Sequence, residues 1–192
     1  MRRLEERLDI AERMMKDKSF RENKGLGNEV GYYIFDYPPE KELIVRQRIE
    51  NIQSRNRRGI DGFELIVFDL YEIMVSTLQT EAFLEQCYQF EKIKGIPRVT
   101  KSVGNLLRIN DDASLIVHHI KTHTPQHSVV FITGVGKCYP ILRSHTILNN
   151  LHQKIDHVPV VMFYPGQYSG QDLMLFGKIK DDNYYRAFRL AD

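Results

Sequence analysis

The residues with the clearest chemical potential form a glycine-rich segment in the second half of the chain, TGVGKC at residues 133–138. Such a segment can cradle a phosphate when it follows a strand and opens a helix, as in the P-loop pattern G-x-x-x-x-G-K-[ST]. Only Gly136 and Lys137 match that pattern, because Phe131 stands where the first glycine belongs and Cys138 replaces the magnesium-binding hydroxyl. The dinucleotide pattern G-x-G-x-x-G also fails, at its third glycine. We interpret these glycines as a tight strand-to-helix turn.

An anion site at this turn stays open as an alternative. Backbone N–H groups at the start of a helix bind phosphate groups, and the turn adds a lysine. In an open parallel sheet, ligands bind beyond the carboxyl ends of the strands, and another predicted strand of this chain ends in Asp36-Tyr37. The candidate anion or nucleotide-binding residues are therefore Asp36, Gly134, Gly136 and Lys137.

Three carboxylates near predicted strand ends, Asp36, Glu40 and Asp69, could instead hold a metal ion in a nuclease-like or other metal-dependent enzyme. An aspartate at the end of a strand is also a common helix N-cap, because its oxygen accepts unpaired backbone N–H groups. We favour capping for Asp69. The seven histidines form no H-E-x-x-H zinc motif, so we predict neither a metal site nor a bound cofactor.

Tyrosine and arginine side chains concentrate at the C-terminal end of the chain. Both residue types are enriched at the hot spots of protein interfaces, because they offer contact area together with a polar group. The candidate partner-binding residues are Tyr164, Tyr168, Tyr184, Tyr185, Arg186 and Arg189. The alternative is an aromatic edge strand that packs on a terminal helix, and the two interpretations are compatible.

Hydrophobic periodicity predicts the elements that must position these residues. Leu4, Leu8, Ala11 and Met15 lie on one face of a helix over residues 3–17. Further helices are predicted over residues 40–58, 71–94 with a new start near Thr80, 100–109, 113–123 and 138–155. Strands are predicted over residues 31–37, 63–70, 127–136 and 158–164, the last of them ending in a turn at residues 164–166, with another strand in LMLFGKI.

Strands that alternate with helices favour a mostly parallel sheet, because parallel neighbours need a crossover connection. The predicted fold is α/β, with helices on both faces of the sheet in a Rossmann-like or RecA-like arrangement. The final strands, joined by short turns, should add antiparallel edges. The 192 residues contain no linker or repeat, so we expect one domain over residues 1–192.

Composition narrows the functional classes. The chain is 42% hydrophobic and 27% charged, with no run long enough to span a membrane and no secretory signal, so we expect a cytoplasmic protein. The formal charge of +2 is too small for general nucleic-acid binding, and DNA contact is expected to be indirect at most. Arg55, Arg57 and Arg58 would be the first residues to suspect otherwise. Cys87 and Cys138 are expected to be buried hydrophobic residues.

Several segments resemble the BrxB family of the bacterial BREX phage-defence systems. The specific ones are GVGKCYPILRSHTILNNL, VPVVMFYPGQYSGQDLMLFGKI and NYYRAFRL, while YYIFDYPPEKEL carries the likeness in the first half of the chain. The resemblance implies a component of a multi-protein anti-phage system that recognises self by DNA methylation. It implies other BREX proteins as partners, the PglZ-type phosphatase-superfamily protein foremost. The family has no assigned catalytic residue that could be transferred.

Three functional hypotheses follow. The favoured one is a non-catalytic adaptor, not an enzyme, that binds other BREX proteins. The second is a degenerate nucleotide-binding domain that senses ATP or a related anion at the carboxyl edge of the sheet. The third is a metal-dependent enzyme that uses Asp36, Glu40 and Asp69.

Overall fold

A computed structural model of the chain describes residues 3–22, 31–181 and 187–191. At its centre four parallel strands lie in the order β2-β3-β4-β1. They are β1 (Tyr32–Tyr37), β2 (Glu64–Asp69), β3 (Ser128–Thr133) and β4 (Val160–Tyr168). The predicted parallel α/β fold is confirmed.

Three short strands complete the sheet that the described residues form. β5 (Leu173–Leu175) pairs antiparallel with β4, and β6 (Ile179–Asp181) pairs antiparallel with β5. The expected antiparallel C-terminal edge is confirmed for these two strands. The last strand differs, because β7 (Phe188–Arg189) runs parallel to β1 and closes the opposite edge of the sheet.

The helices of the described segments cover both faces of the sheet. They are α1 (Leu4–Lys16), α2 (Lys18–Arg21), a 3-10 turn (Pro39–Lys41), α3 (Glu42–Arg55), α4 (Arg58–Asp61), α5 (Leu70–Thr80), α6 (Leu84–Leu106), α7 (Leu115–Thr122), α8 (Val135–Cys138) and α9 (Ser144–His152). Helix α6 contains a kink at Gly95, whose φ of 70° lies in the left-handed region. None of these helices combines the length and the apolar character that a membrane span requires.

The predicted turn at residues 164–166 was wrong, because β4 continues through it. Pro165 pairs with Tyr37 in the parallel register, and its carbonyl accepts a hydrogen bond of 2.9 Å from the N–H of Phe176. A side chain at Gly166 would collide with the carbonyl of Met174, so glycine allows β5 to approach. The chain reverses first between β4 and β5, where the N–H of Ser169 donates to the carbonyl of Asp172 at 3.0 Å. It reverses again at Phe176 and Gly177, which both have positive φ and divide LMLFGKI into β5 and β6.

The single helix predicted over residues 138–155 was also wrong. Pro140 favours extended backbone in the residue before it, and Tyr139 is extended, with φ −67° and ψ 136°. The helical path therefore stops at Cys138 and starts again at Ser144. This interruption creates a loop between two helix ends at the carboxyl side of β3.

Neighbouring residues of the central strands serve opposite faces of the sheet. Ile34, Ile132 and Met162 belong to a core that includes side chains of α5, α7 and α9. The residues one position further along two of these strands, Phe35 and Phe163, pack with Phe131 against α1 and α3. Phe163 lies 5.3 Å from Phe35 and 4.7 Å from Phe131, measured between ring centroids. The strands are therefore buried on both sides, as uninterrupted apolar runs predict.

Candidate functional site

The carboxyl ends of the four parallel strands meet at one edge of the sheet. Asp36 of β1 pairs in register with Tyr164 of β4, and Asp69 of β2 pairs with Thr133 of β3. The glycine turn, residues 133–138, follows β3 at the same edge. The sheet thus gathers the charged and glycine residues that the sequence singled out, and their individual contacts decide what each can do.

Asp69 caps helix α5, as predicted. Its Oδ1 accepts hydrogen bonds from the backbone N–H groups of Tyr71, at 2.9 Å, and Glu72, at 3.3 Å. Its Oδ2 accepts a hydrogen bond of 2.5 Å from Nζ of Lys137. The carboxylate and the lysine are both about one quarter exposed, at 26% and 27%. Each of these two candidate site residues is therefore neutralised by the other.

The glycine turn holds this internal carboxylate. Gly134 has a φ of +76°, and an added Cβ would collide with Oδ1 of Asp69. Gly136 lies under the side chains of Phe176 and Pro165, whose nearest atoms would be 2.8 and 3.1 Å from an added Cβ. The glycines thus admit a carboxylate on one side and an aromatic ring on the other. The Asp69 carboxylate and the Phe176 ring therefore occupy the predicted site of an external anion at Gly134, Gly136 and Lys137.

Asp36 forms a buried ion pair with Arg7 of α1. The carboxylate Oδ1 lies 2.6 Å from Nη2 of Arg7, and the two side chains are only 6% and 4% exposed. Arg7 also donates to the carbonyls of Asp36, at 2.8 Å, and Ala191, at 3.0 Å. The second carboxylate oxygen accepts the backbone N–H of Tyr168 at 3.0 Å and lies 3.7 Å from Arg189. Asp36 is therefore an internal counter-ion and lies apart from the contacts of the glycine turn.

Sequence reasoning missed Arg7, although a signal was present. Arg7 lies three residues after Leu4 and four before Ala11, so it falls within the apolar stripe of α1. A charged side chain on such a stripe must find a partner when the stripe is buried. Its partner could not be named without knowing that α1 packs beside β1.

The predicted partner-binding residues fall into three groups. Tyr164 and Tyr168 are each 1% exposed, so they brace the sheet from inside and offer no contact surface of their own. The hydroxyl of Tyr168 donates to the carbonyls of Gly170, at 3.0 Å, and Ala187, at 2.6 Å. Arg189 is one-third exposed, at 34%. Tyr184, Tyr185 and Arg186 lie outside the described residues.

Three other aromatic side chains are exposed around the glycine turn, and we call them the aromatic rim: Tyr71, Tyr139 and Phe176. They are 39%, 36% and 37% exposed. The ammonium of Lys137 lies 5.3 Å above the ring of Tyr71, and Phe176 covers Gly136. Tyr139 follows the glycine turn directly in the sequence, which was a signal, whereas Tyr71 and Phe176 come close to the turn only in the folded chain. The prediction concentrated on the later tyrosines instead.

The cysteine of the turn is not an activated nucleophile. Burial raises the pKa of the Cys138 thiol to about 12, and the nearby Asp69 carboxylate raises it further than Lys137 lowers it. Burial also raises the pKa of Cys87. Among the residues that the structure describes, no group of three or more histidine, cysteine or acidic side chains is arranged to hold a metal ion. Asp36 and Asp69, two of the three hypothetical metal ligands, each have a cationic partner.

Comparison with known proteins decides the family. The family model described as BREX protein BrxB matches residues 66–190. A BREX protein BrxB of Bacillus cereus (strain H3081.97) is 48% identical over 192 residues, which is 100% of both chains. The chain belongs to the BrxB family. Another BREX protein BrxB, from Escherichia coli O9:H4 (strain HS), is 30% identical over 188 residues, 98% of this chain and 92% of the relative. No solved structure matches this chain.

The BrxB match covers most of the carboxyl edge. Its span of residues 66–190 includes Asp69, the glycine turn and the aromatic rim, while Arg7 and Asp36 precede it. The full-length relative from Bacillus cereus extends the similarity over α1 and β1. The resemblance noted in the sequence is therefore confirmed, and membership in the family makes this chain a BREX protein.

Proposed function

We propose that this BrxB protein is a non-catalytic adaptor in a cytoplasmic BREX anti-phage complex, where it binds other BREX proteins, foremost the PglZ-type protein. The observation that carries the proposal is the contrast between the charged and the aromatic side chains at the carboxyl edge of the sheet. Charged side chains there face one another, whereas aromatic side chains face outward. An edge with these properties favours binding of a partner protein over catalysis.

The internal pairing of charges supports a non-catalytic role. A catalytic acid or base needs a polar atom that reaches the substrate within about 3 Å. At this edge, Asp36 is buried with Arg7, and Asp69 is held by two backbone N–H groups and Lys137. A thiol with a pKa of about 12 is almost entirely protonated at neutral pH, so Cys138 is a poor nucleophile.

The aromatic rim supports a docking role. Exposed tyrosine and phenylalanine side chains supply large, rigid contact areas at a small cost in conformational entropy. Each rim residue is more than one-third exposed, and each stands on a separate element: α5, the loop after α8, or the β5–β6 hairpin. Three separate elements therefore bring the rim together at one edge of the sheet.

Direct DNA binding has little support. The three arginines first suspected of it have partners within the protein. Arg55 pairs with Glu12 at 3.3 Å and Arg58 with Glu64 at 3.6 Å. Arg57 donates to backbone carbonyls. With a net charge of +2, contact with DNA is expected to pass through a partner protein.

The test is binding of purified PglZ-type protein to this chain, measured by calorimetry for rim variants. Tyr71→Ala and Phe176→Ala should each weaken binding by about 1–3 kcal/mol, the loss that hot-spot aromatics show on truncation. The matched control is Tyr88→Ala on α6, because Tyr88 is 49% exposed and lies outside the rim. Melting temperatures measured for all variants separate lost contact from lost stability.

Two results would contradict the proposal. One is full binding by both rim variants, because the docking surface would then lie elsewhere. The other is no binding of any BREX protein by the wild-type chain, which would remove the adaptor role. ATP turnover that vanishes in Lys137→Ala would favour the nucleotide hypothesis instead.

A further inference from the structure

Helix α6 consists of two halves that meet at Gly95. This glycine has a φ of 70° and a ψ of −177°, a conformation that interrupts the helical path. Pro97 follows in the first turn of the second half, where its missing N–H costs no helical hydrogen bond. Of the 23 residues of α6, only Cys87, Ser102 and Val103 are buried, and none of the three lies next to the bend.

Residues 91–98 surround this bend, and we call them the elbow. All of them except Gly95 are exposed. They include two large apolar side chains, Ile93 and Ile96, which are 73% and 51% exposed. One exposed isoleucine is common on a protein surface. Here two of them flank the bend, one on each half of the helix, and the contacts and charges around them show what the elbow can bind.

The two halves of α6 are joined by contacts that do not use the isoleucines. The guanidinium of Arg98 lies 5.1 Å from the centroid of the Phe90 ring, across the bend. Phe90 in turn meets the ring of Phe83 edge-on, at 6.1 Å between centroids, and Phe83 packs against the core beside α5 and α7. Neither isoleucine belongs to either core of the described residues. Both are therefore available to a partner without a change in the fold.

The charges beside the isoleucines are positive. Between Glu91 and Asp111 the chain has no acidic residue and five basic ones, which are Lys92, Lys94, Arg98, Lys101 and Arg108. Arg108 pairs with Asp111. The three lysines form no ion pair or hydrogen bond with any residue that the structure describes. They differ in this from the arginines first suspected of DNA binding, which have partners within the protein.

This combination fits an acidic protein surface better than other partners. An apolar centre with a charged rim is the usual anatomy of a protein interface, and carboxylates on a partner would complement the lysines. A nucleic-acid backbone would satisfy the lysines and leave the isoleucines in water. An anionic membrane binds helices with a continuous apolar face. Tyr88 and Ile93, the exposed apolar residues of the first half, lie on different sides of it because they are at i and i+5.

We infer that the elbow is a second docking surface, which binds an acidic and partly apolar segment of another BREX protein. An apolar groove of that segment takes Ile93 and Ile96, and its carboxylates face the neighbouring cations. The inference rests on the adaptor role proposed above, because an adaptor that joins several proteins needs more than one surface. Helix α6 contributes no residue to the aromatic rim, so the two surfaces stand on different elements.

The test is calorimetric titration of the full chain with each purified BREX protein. Ile93→Gln and Lys94→Glu should each weaken binding of the elbow's partner by about tenfold, through a lost apolar contact and through repulsion of the partner's carboxylates. The matched controls are Ile60→Gln on α4 and Lys121→Glu on α7, which change exposed side chains of the same types. All four variants should keep the melting temperature of the wild-type chain, because each changed side chain is exposed.

Carbodiimide cross-linking of the complex tests the charge of the partner. This reagent joins a lysine amine to a carboxylate only where the two groups are in contact. Mass spectrometry should find Lys92, Lys94 or Lys101 joined to aspartate or glutamate residues of the partner. Cross-links from other lysines of this chain and none from these three would overturn the inference, because the partner would then dock elsewhere.

Weaker binding in Ile93→Gln and Lys94→Glu, with both controls unchanged, would establish the surface. Full binding by both elbow variants would overturn the inference alone if Tyr71→Ala and Phe176→Ala still weaken binding, since the adaptor role would then stand. The absence of binding by any BREX protein to the wild-type chain would overturn the adaptor role and this inference together. Elbow-dependent binding of a DNA duplex or of anionic lipid vesicles, with no elbow-dependent binding of a BREX protein, would also overturn it.

Discussion

Two aspartates near the ends of parallel strands have taken different roles in this protein. Asp36 of β1 and Asp69 of β2 both follow apolar runs, and both lie at the carboxyl edge of one sheet. Asp36 is buried with Arg7, each side chain being no more than 6% exposed, and it also accepts the N–H of Tyr168. Asp69 is 26% exposed, caps α5 and pairs with Lys137.

The difference arises from what each carboxylate connects. Through Arg7, Asp36 joins α1 to β1, to the end of β4 and to Ala191 near the end of the chain. Asp69 joins only neighbours at the carboxyl edge, namely the start of α5 and the glycine turn. A buried pair cannot lose one member without leaving an unpaired charge, whereas a carboxylate or lysine that is one quarter exposed can still turn to water. We therefore expect Asp36 to contribute more to the free energy of unfolding than Asp69 does.

Breaking the Asp36 pair should have the largest effect. We expect Arg7→Met or Asp36→Ala to lower the free energy of unfolding by about 3–5 kcal/mol, because each change leaves a buried group without its partner. The measurement is urea denaturation followed by circular dichroism.

The double variant Arg7→Met with Asp36→Asn tests the cause of that loss. It removes both charges and keeps an acceptor for the N–H of Tyr168, so it should be more stable than Arg7→Met alone. Asp36→Asn is also measured alone, and a double variant as unstable as the sum of Arg7→Met and Asp36→Asn would contradict the role given to the unpaired charge.

The glycine turn offers a sharper test on the Asp69 side. Gly134→Ala should cost about 2–4 kcal/mol, since it combines the strain of a positive φ with displacement of the Asp69 carboxylate. In an Asp69→Ala background only the strain remains, so the same change should cost about 1–2 kcal/mol. Equal costs in both backgrounds, measured by urea denaturation, would show that the turn does not depend on the carboxylate.

Removing the Asp69 carboxylate by itself should have a moderate effect. Asp69→Ala is expected to lower stability by about 1–2 kcal/mol, chiefly through loss of the helix cap. Lys137→Ala should cost less than about 1 kcal/mol, because a partly exposed pair contributes little. Thermal melts of the two variants give their order. A larger loss for Lys137→Ala would mean that the ion pair, and not the cap, dominates this region.

The smallest effect expected is on the reactivity of Cys138 beside Asp69. With a pKa of about 12, roughly one thiol in ten thousand is ionised at pH 8. Alkylation by iodoacetamide should therefore be slow in the native protein and fast in urea, where the thiol regains its ordinary pKa. Asp69→Ala should change the native rate only slightly, because burial is the larger cause of the shift. Mass spectrometry distinguishes Cys138 from Cys87, and rapid native labelling of Cys138 would contradict the assigned pKa.

Local pattern predicted much of the fold. The apolar stripe of α1, the uninterrupted run of β3 and the capping role of Asp69 all depend on residues close together in the chain. Two predicted elements failed at prolines, one through strand pairing and the other through the local backbone. Pro165 sits within a strand because β1 and β5 pair on either side of it, whereas Pro140 divides a helix that periodicity alone would continue.

The sequence by itself determined the family, the alternation of strands and helices, and the gathering of strand ends at one edge, because periodicity and short sequence patterns are local properties. Only the tertiary structure decided which charges meet. Arg7 lies 29 residues from Asp36, and Lys137 lies 68 residues from Asp69. Such partners follow from strand order and helix packing, which bring distant residues together. For the same reason Lys137, the cation that the sequence singled out, lies in an internal pair.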